Sequence, residues 1–121
     1  MKRYIITDLI EWSKKERRKP LLLRGARQVG KTWLVEELAR IQFGSFIKVD
    51  FEERPEFVSM FDSDLDPERI CSELEIRFGK NIEERETLLF FDEIQNCPKA
   101  IMALRYFYEK KPGLHVLTST L

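Results

Sequence analysis

The stretch GARQVGKT, Gly25–Thr32, stands directly between the apolar run Leu21-Leu22-Leu23 and a segment with helical apolar spacing. That context constrains the chain to a strand, a tight loop and a helix in immediate succession. The spacing G-x-x-x-x-G-K-[ST] has a mechanical reason. A loop that wraps phosphates must turn its backbone N–H groups inward, and glycine best tolerates the dihedrals and close approach this requires. Lys31 then reaches the β- and γ-phosphates as a point charge. The Thr32 hydroxyl can coordinate Mg²⁺ at the positive end of the helix that follows.

The remaining pattern is that of an alternating α/β chain. Runs rich in apolar or β-branched residues occur at Leu21–Gly25, Ser45–Phe51, Thr87–Ile94 and Leu114–Thr120, and their near-continuous hydrophobicity predicts strands covered on both faces of a parallel sheet. Helices are expected between them. Leu34, Leu38 and Ile41 form an apolar stripe after Thr32, with Gly44 ending that helix. Asp66-Pro67 reads as a cap and first-turn proline ahead of Ile70, Leu74 and Phe78. Pro98 opens a further helix with Ile101, Leu104 and Tyr108 on one face, stopped by Pro112-Gly113. A first amphipathic helix is expected from Thr7 to about Glu16, anchored by Leu9, Ile10 and Trp12. Glu52–Asp66 reads as an irregular connection with one short helix around Phe57–Phe61.

A chain of 121 residues, 43% hydrophobic and 35% charged, is expected to form one unit over 1–121 with a sizeable core and a charged surface. Lys plus Arg equals Asp plus Glu at 21 each, so no overall field draws it to nucleic acid or membrane. The runs Lys14–Lys19 and Glu83–Glu86 read as solvated rather than as binding patches. Cys71, Cys97 and His115 offer no metal-ligand spacing, and reduced thiols in the cytoplasm are the expectation. No signal peptide or membrane span is apparent.

A phosphate loop needs a second group for its metal and, for hydrolysis, a base for water. LLFFDEIQ supplies both: Leu88–Phe91 form a buried strand that carries Asp92 to its C-terminal end, where ligands sit in open α/β sheets. Asp92 is placed to hold Mg²⁺, and Glu93 to polarise an attacking water.

Taken together, KPLLLRGARQVGKTWLVEELA, FIKVDFEERPEF and LLFFDEIQNCPKAIMALRYFYEKKPGLHV resemble the N-terminal ATPase module of a bacterial and archaeal AAA-type family, in which an uncharacterised C-terminal domain follows. The resemblance runs from about Tyr4 to Leu117. It implies a P-loop NTPase fold of AAA-like strand order 5-1-4-3-2, with ATP and Mg²⁺ as ligands and Asp92-Glu93 as the Walker B pair. It also implies a nucleotide-contacting set of Gly25, Ala26, Arg27, Gln28, Val29, Gly30, Lys31, Thr32 and Trp33, with Lys31 and Glu93 catalytic and Thr32 and Asp92 on the metal. Family members carry a small polar first sensor within a Gly-Ser sequence at the end of the fourth strand. This chain reads LTSTL there, leaving Ser119 or Thr120 for that role. A fifth strand, arginine finger, second sensor and the C-terminal domain would follow Leu121, so the chain is expected to be a fragment, a truncated gene product or a designed chain, with its first strand exposed as a sheet edge prone to self-association.

Other residues carry competing readings. Trp33 is expected to pack at the helix start rather than stack on a base, and Tyr4, Ile5 and Ile6 to compete between packing and bordering the adenine. Arg27 is expected to face the γ-phosphate, a partner or solvent. Gln95 either senses nucleotide and positions water or is an ordinary core or surface residue. His115 is expected to be structural, and Arg105–Glu109 to pack rather than to stack on nucleic acid. The function so read is Mg-dependent ATP hydrolysis, against a nucleotide-binding switch without turnover or an inactive remnant; no client or nucleic-acid partner is legible.

Overall fold

Each of the apolar runs is a strand: β1 (Leu21–Arg24), β2 (Ser45–Asp50), β3 (Thr87–Asp92) and β4 (His115–Thr120). They alternate with helices α1 (Ile6–Lys14), α2 (Val29–Gln42), α3 (Pro67–Phe78) and α4 (Pro98–Lys110), and with short 3-10 helices at Pro55–Phe61 and Ile94–Asn96. These elements come from a computed structural model that describes residues 6–15, 19–24 and 29–120, with the backbone alone at 29–31.

The strands pair in the order β1-β4-β3-β2, all parallel. This is the order 1-4-3-2 expected from the resemblance. Chain direction explains the two helical layers. The step from β1 to β2 crosses the whole sheet and is made by α2, whereas β2 to β3 and β3 to β4 are single steps back toward β1, made through α3 and α4. Right-handed crossovers of opposite sense put their helices on opposite faces. Two apolar clusters record this. Leu88, Phe90 and Leu117 pack with Leu9, Trp12, Val35 and Leu38 of α1 and α2. Leu89, Phe91 and Val116 pack with Ile70, Leu74, Ala100, Ala103 and Phe107 of α3 and α4. Successive residues of β3 thus serve alternate faces, and all of Leu88–Phe91 are fully buried.

Local signals set the helix ends. Asp66 accepts a hydrogen bond from the Glu68 backbone N–H, with Pro67 in the first turn, and Gly79 closes α3 in the left-handed region at φ 64°. The expected stripes need correction on α2 and α4. On α4 the buried residues are Ala100, Ala103 and Phe107, while Ile101 is exposed and Leu104 and Tyr108 are half-buried. One residue is a rotation of about 100° on a helix, and small alanines let α4 approach the sheet closely where larger side chains would hold it off. On α2 the core residues are Val35, Leu38 and Ala39, and Ile41 is exposed. The stripes of α1 and α3 are as expected, Leu9, Trp12, Ile70 and Leu74 being buried and Ile10 and Phe78 half-buried. Residues Glu83–Glu86, Lys14, Lys15 and Lys19 are exposed, as solvated charge runs should be.

His115 is structural. Its Nε2 donates to the Ser13 carbonyl at 2.7 Å, and Trp12 and Phe43 meet its ring edge to face, so it ties the start of β4 to α1 and the end of α2. Cys71 and Cys97 are free and buried. Burial pushes the Cys71 thiol up to about 12, which suppresses the reactive thiolate. Among the described residues no helix is long and apolar enough to cross a membrane.

Candidate nucleotide site

Because every strand runs the same way, the C-terminal ends of β1, β4, β3 and β2 share one edge of the sheet. Register places Arg24 beside Thr120, Phe91 beside Thr118 and Asp50 beside Asp92. α2 begins at Val29, four residues after Gly25 and earlier than expected, so Gly30, Lys31 and Thr32 fall in its first turn. Its N–H groups and positive dipole end therefore open at the edge that carries Asp92. Gly25, Ala26, Arg27 and Gln28 lie outside the described residues, as do the side chains of Val29, Gly30 and Lys31, and Tyr4 and Ile5. Thr32 is half-buried. Ile6 is half-buried and packs on the α1–α2 cluster. Trp33 is 57% exposed, which overturns the expectation that it packs.

Asp92 and Glu93 are 6% and 4% exposed, a level at which carboxylates require partners. β4 supplies them. The Ser119 hydroxyl donates to Asp92 Oδ1 and accepts the Glu93 backbone N–H at 3.1 Å. The Lys48 ammonium on β2 lies 3.8 Å from Asp92 Oδ2 as an ion pair. Glu93 itself sits in the left-handed region, φ 55° and ψ 49°, just ahead of the 3-10 turn Ile94–Asn96. For a residue with a Cβ this conformation costs about 1–2 kcal/mol. Its carboxylate Oε1 accepts from Gln95 Nε2 at 2.8 Å, and Gln95 Oε1 accepts from the Thr120 hydroxyl at 2.8 Å.

Three consecutive hydroxyls on β4 thus face three different groups: Thr118 donates to the Leu21 carbonyl of β1 at 3.1 Å, Ser119 to Asp92, and Thr120 to Gln95. Of the two sensor candidates, Ser119 is the one in contact with the acidic pair. Sequence reading missed Lys48, although a lone cation within the apolar run SFIKVDF was its signal.

The donor set suits Mg²⁺. A hydroxyl in the first turn of α2 and a strand-end carboxylate are hard oxygen ligands, and Mg²⁺ takes few protein ligands beside phosphate oxygens and water. No group of three or more His, Cys, Asp or Glu residues that could hold a metal occurs among the described residues.

A parallel sheet of order 1-4-3-2, with a helix N-terminus and a buried acidic pair at its C-terminal edge, defines a phosphate-loop nucleotide-binding domain. The chain belongs to the AAA domain family, whose sequence profile matches residues 17–120. Membership makes it an ATP-binding domain of ATPase type. No curated protein matches the chain.

Proposed function

We propose that the domain hydrolyses ATP with Mg²⁺, and that Glu93 orients and polarises the attacking water. The observation that carries the reading is Glu93 itself, a buried acid held in a strained left-handed conformation at the strand end, beside Asp92. A glycine or asparagine would occupy that backbone position more cheaply; Arg85, the other described non-glycine residue at positive φ, is exposed in a turn, whereas Glu93 is buried beside Asp92.

In this reading Gly25–Thr32 wrap the phosphates with backbone N–H groups, with Lys31 against the β- and γ-oxygens. Trp33, next in sequence and exposed, borders the bound nucleotide. Thr32 and Asp92 hold Mg²⁺, which when bound neutralises charge developing on the phosphate oxygens. Ser119 orients Asp92, leaving its second oxygen toward Lys48. Reduced buried thiols suit a cytoplasmic setting.

Purified protein should bind ATP more tightly with Mg²⁺ than with chelator, and release phosphate only with Mg²⁺. Absence of both overturns the site; binding without release reassigns the domain to a nucleotide-dependent switch.

β1 pairs with β4 on one side and forms an edge of the described sheet. Strand edges recruit further strands, so concentration-dependent self-association is expected in sedimentation. A monomer at all concentrations, with Leu21–Arg24 amides protected from exchange, would show that this edge is covered.

A further inference from the structure

Gln95 lies outside both nucleotide motifs, yet its amide is committed at both ends. Carboxylates only accept hydrogen bonds, so the nitrogen must face Glu93, and the oxygen then needs a donor, which is the Thr120 hydroxyl. Gln95 therefore has one orientation, and it imposes one on Glu93. We infer that Gln95, locked by Thr120, is the positioning residue that fixes the Glu93 carboxylate for water activation; this rests on the hydrolytic reading above.

A glutamate side chain has several rotatable bonds, and the left-handed backbone of Glu93 re-aims its Cβ away from the line of β3. Without a fixed partner its carboxylate samples rotamers, few of which point at a reacting water. A misplacement of about 1 Å in such a group can cost about a hundredfold in rate. The 2.8 Å bond from Gln95 restricts that freedom, and the 2.8 Å bond from Thr120 anchors the clamp to β4. One strand end then controls both acids, Ser119 acting on Asp92 and Thr120 acting through Gln95 on Glu93. Among the described residues, Asp92 precedes Glu93 at the end of β3 and pairs with Lys48 of β2; the clamp uses neither.

The test compares Gln95→Met, Thr120→Val and Thr120→Ser in the full chain. Gln95→Met keeps length and loses both hydrogen bonds, so kcat should fall about ten- to a hundredfold while KM for ATP stays within about twofold. Thr120→Val should lose about three- to tenfold, Thr120→Ser should recover most of that loss, and the double variant Gln95→Met/Thr120→Val should be no slower than Gln95→Met alone. A second readout needs no turnover. The side-chain amide resonance of Gln95, assigned by its disappearance in Gln95→Met, should shift in Thr120→Val and in Glu93→Ala. If Gln95→Met fails to fold, the Thr120 pair decides, together with this resonance assigned in the parent by through-bond correlation to the Gln95 backbone. Undiminished or raised kcat in Gln95→Met with an active parent overturns the positioning role alone, and so does an amide resonance indifferent to both partners. A parent with no turnover above the Lys31→Ala background overturns the hydrolytic reading, and the positioning role falls with it.

Discussion

Glu93→Gln is expected to slow ATP hydrolysis by roughly 10²–10⁴-fold, the range for losing a positioned general base, while ATP binding survives. The substitution keeps size and shape and removes the charge that polarises water. Asp92 and Thr32 are unchanged, so the Mg²⁺ ligands of the proposed site persist. The control is Asp92→Asn, which should weaken Mg²⁺-dependent binding as well as turnover, because its carboxylate is the partner of both Ser119 and Lys48. Single-turnover phosphate release, measured beside a binding titration, separates the two. Equal rates for Glu93→Gln and the parent would remove Glu93 from the chemistry. Glu93→Gly adds a stability readout. Glycine relieves about 1–2 kcal/mol of left-handed strain at φ 55° and removes a buried carboxylate, so its denaturation midpoint should be no lower than the parent's while hydrolysis is lost. A marked destabilisation would mean that Glu93 serves the fold.

The parts of this architecture legible in the sequence are those written in near-neighbour chemistry. LLL as a short strand, TLLFFD as a doubly covered strand and Asp66-Pro67 as a helix start are all found where their patterns place them. The strand order came through the resemblance, since periodicity says that strands are parallel but not which are neighbours. Helix faces were less legible. Side-chain size favoured Ile101 and Leu104 over Ala100 and Ala103, but the sheet selects whichever face lets the helix approach, and that is a property of the packed pair.

At the site, the acidic pair at the end of β3 was readable because its two residues are contiguous. The relay that joins them was not. Ser119 to Asp92 and Thr120 to Gln95 are contacts across more than twenty positions, created by β4 inserting between β1 and β3. LTSTL announces only that hydroxyls end a strand. The identity of their partners follows from parallel register, which aligns Thr118 with Phe91 and so brings the next two residues level with Asp92, the last residue of β3, and the turn that follows it.

Lys31→Ala is expected to lower ATP affinity by about ten- to a hundredfold with the fold intact. Charge-assisted hydrogen bonds contribute about 1.5–3 kcal/mol each, and each 1.4 kcal/mol is a factor of ten in binding. The Lys31 backbone falls in the first turn of α2, at the edge of the sheet that also carries Asp92, a helix end already favourable to phosphate. Alanine is the best helix former, and the turn itself should persist. Lys31→Arg sharpens the test. It keeps the charge but replaces a compact ammonium with a planar fork, so it should recover part of the affinity and less of the turnover. Charge also predicts the salt response: the parent's affinity should fall with ionic strength more steeply than that of Lys31→Ala, because the variant has lost one screened attraction. Calorimetric titration of ATP at two salt concentrations, with circular dichroism to confirm folding, measures all of this. Affinity unchanged in Lys31→Ala at both salt concentrations would remove GARQVGKT from the phosphates and take the proposed site with it.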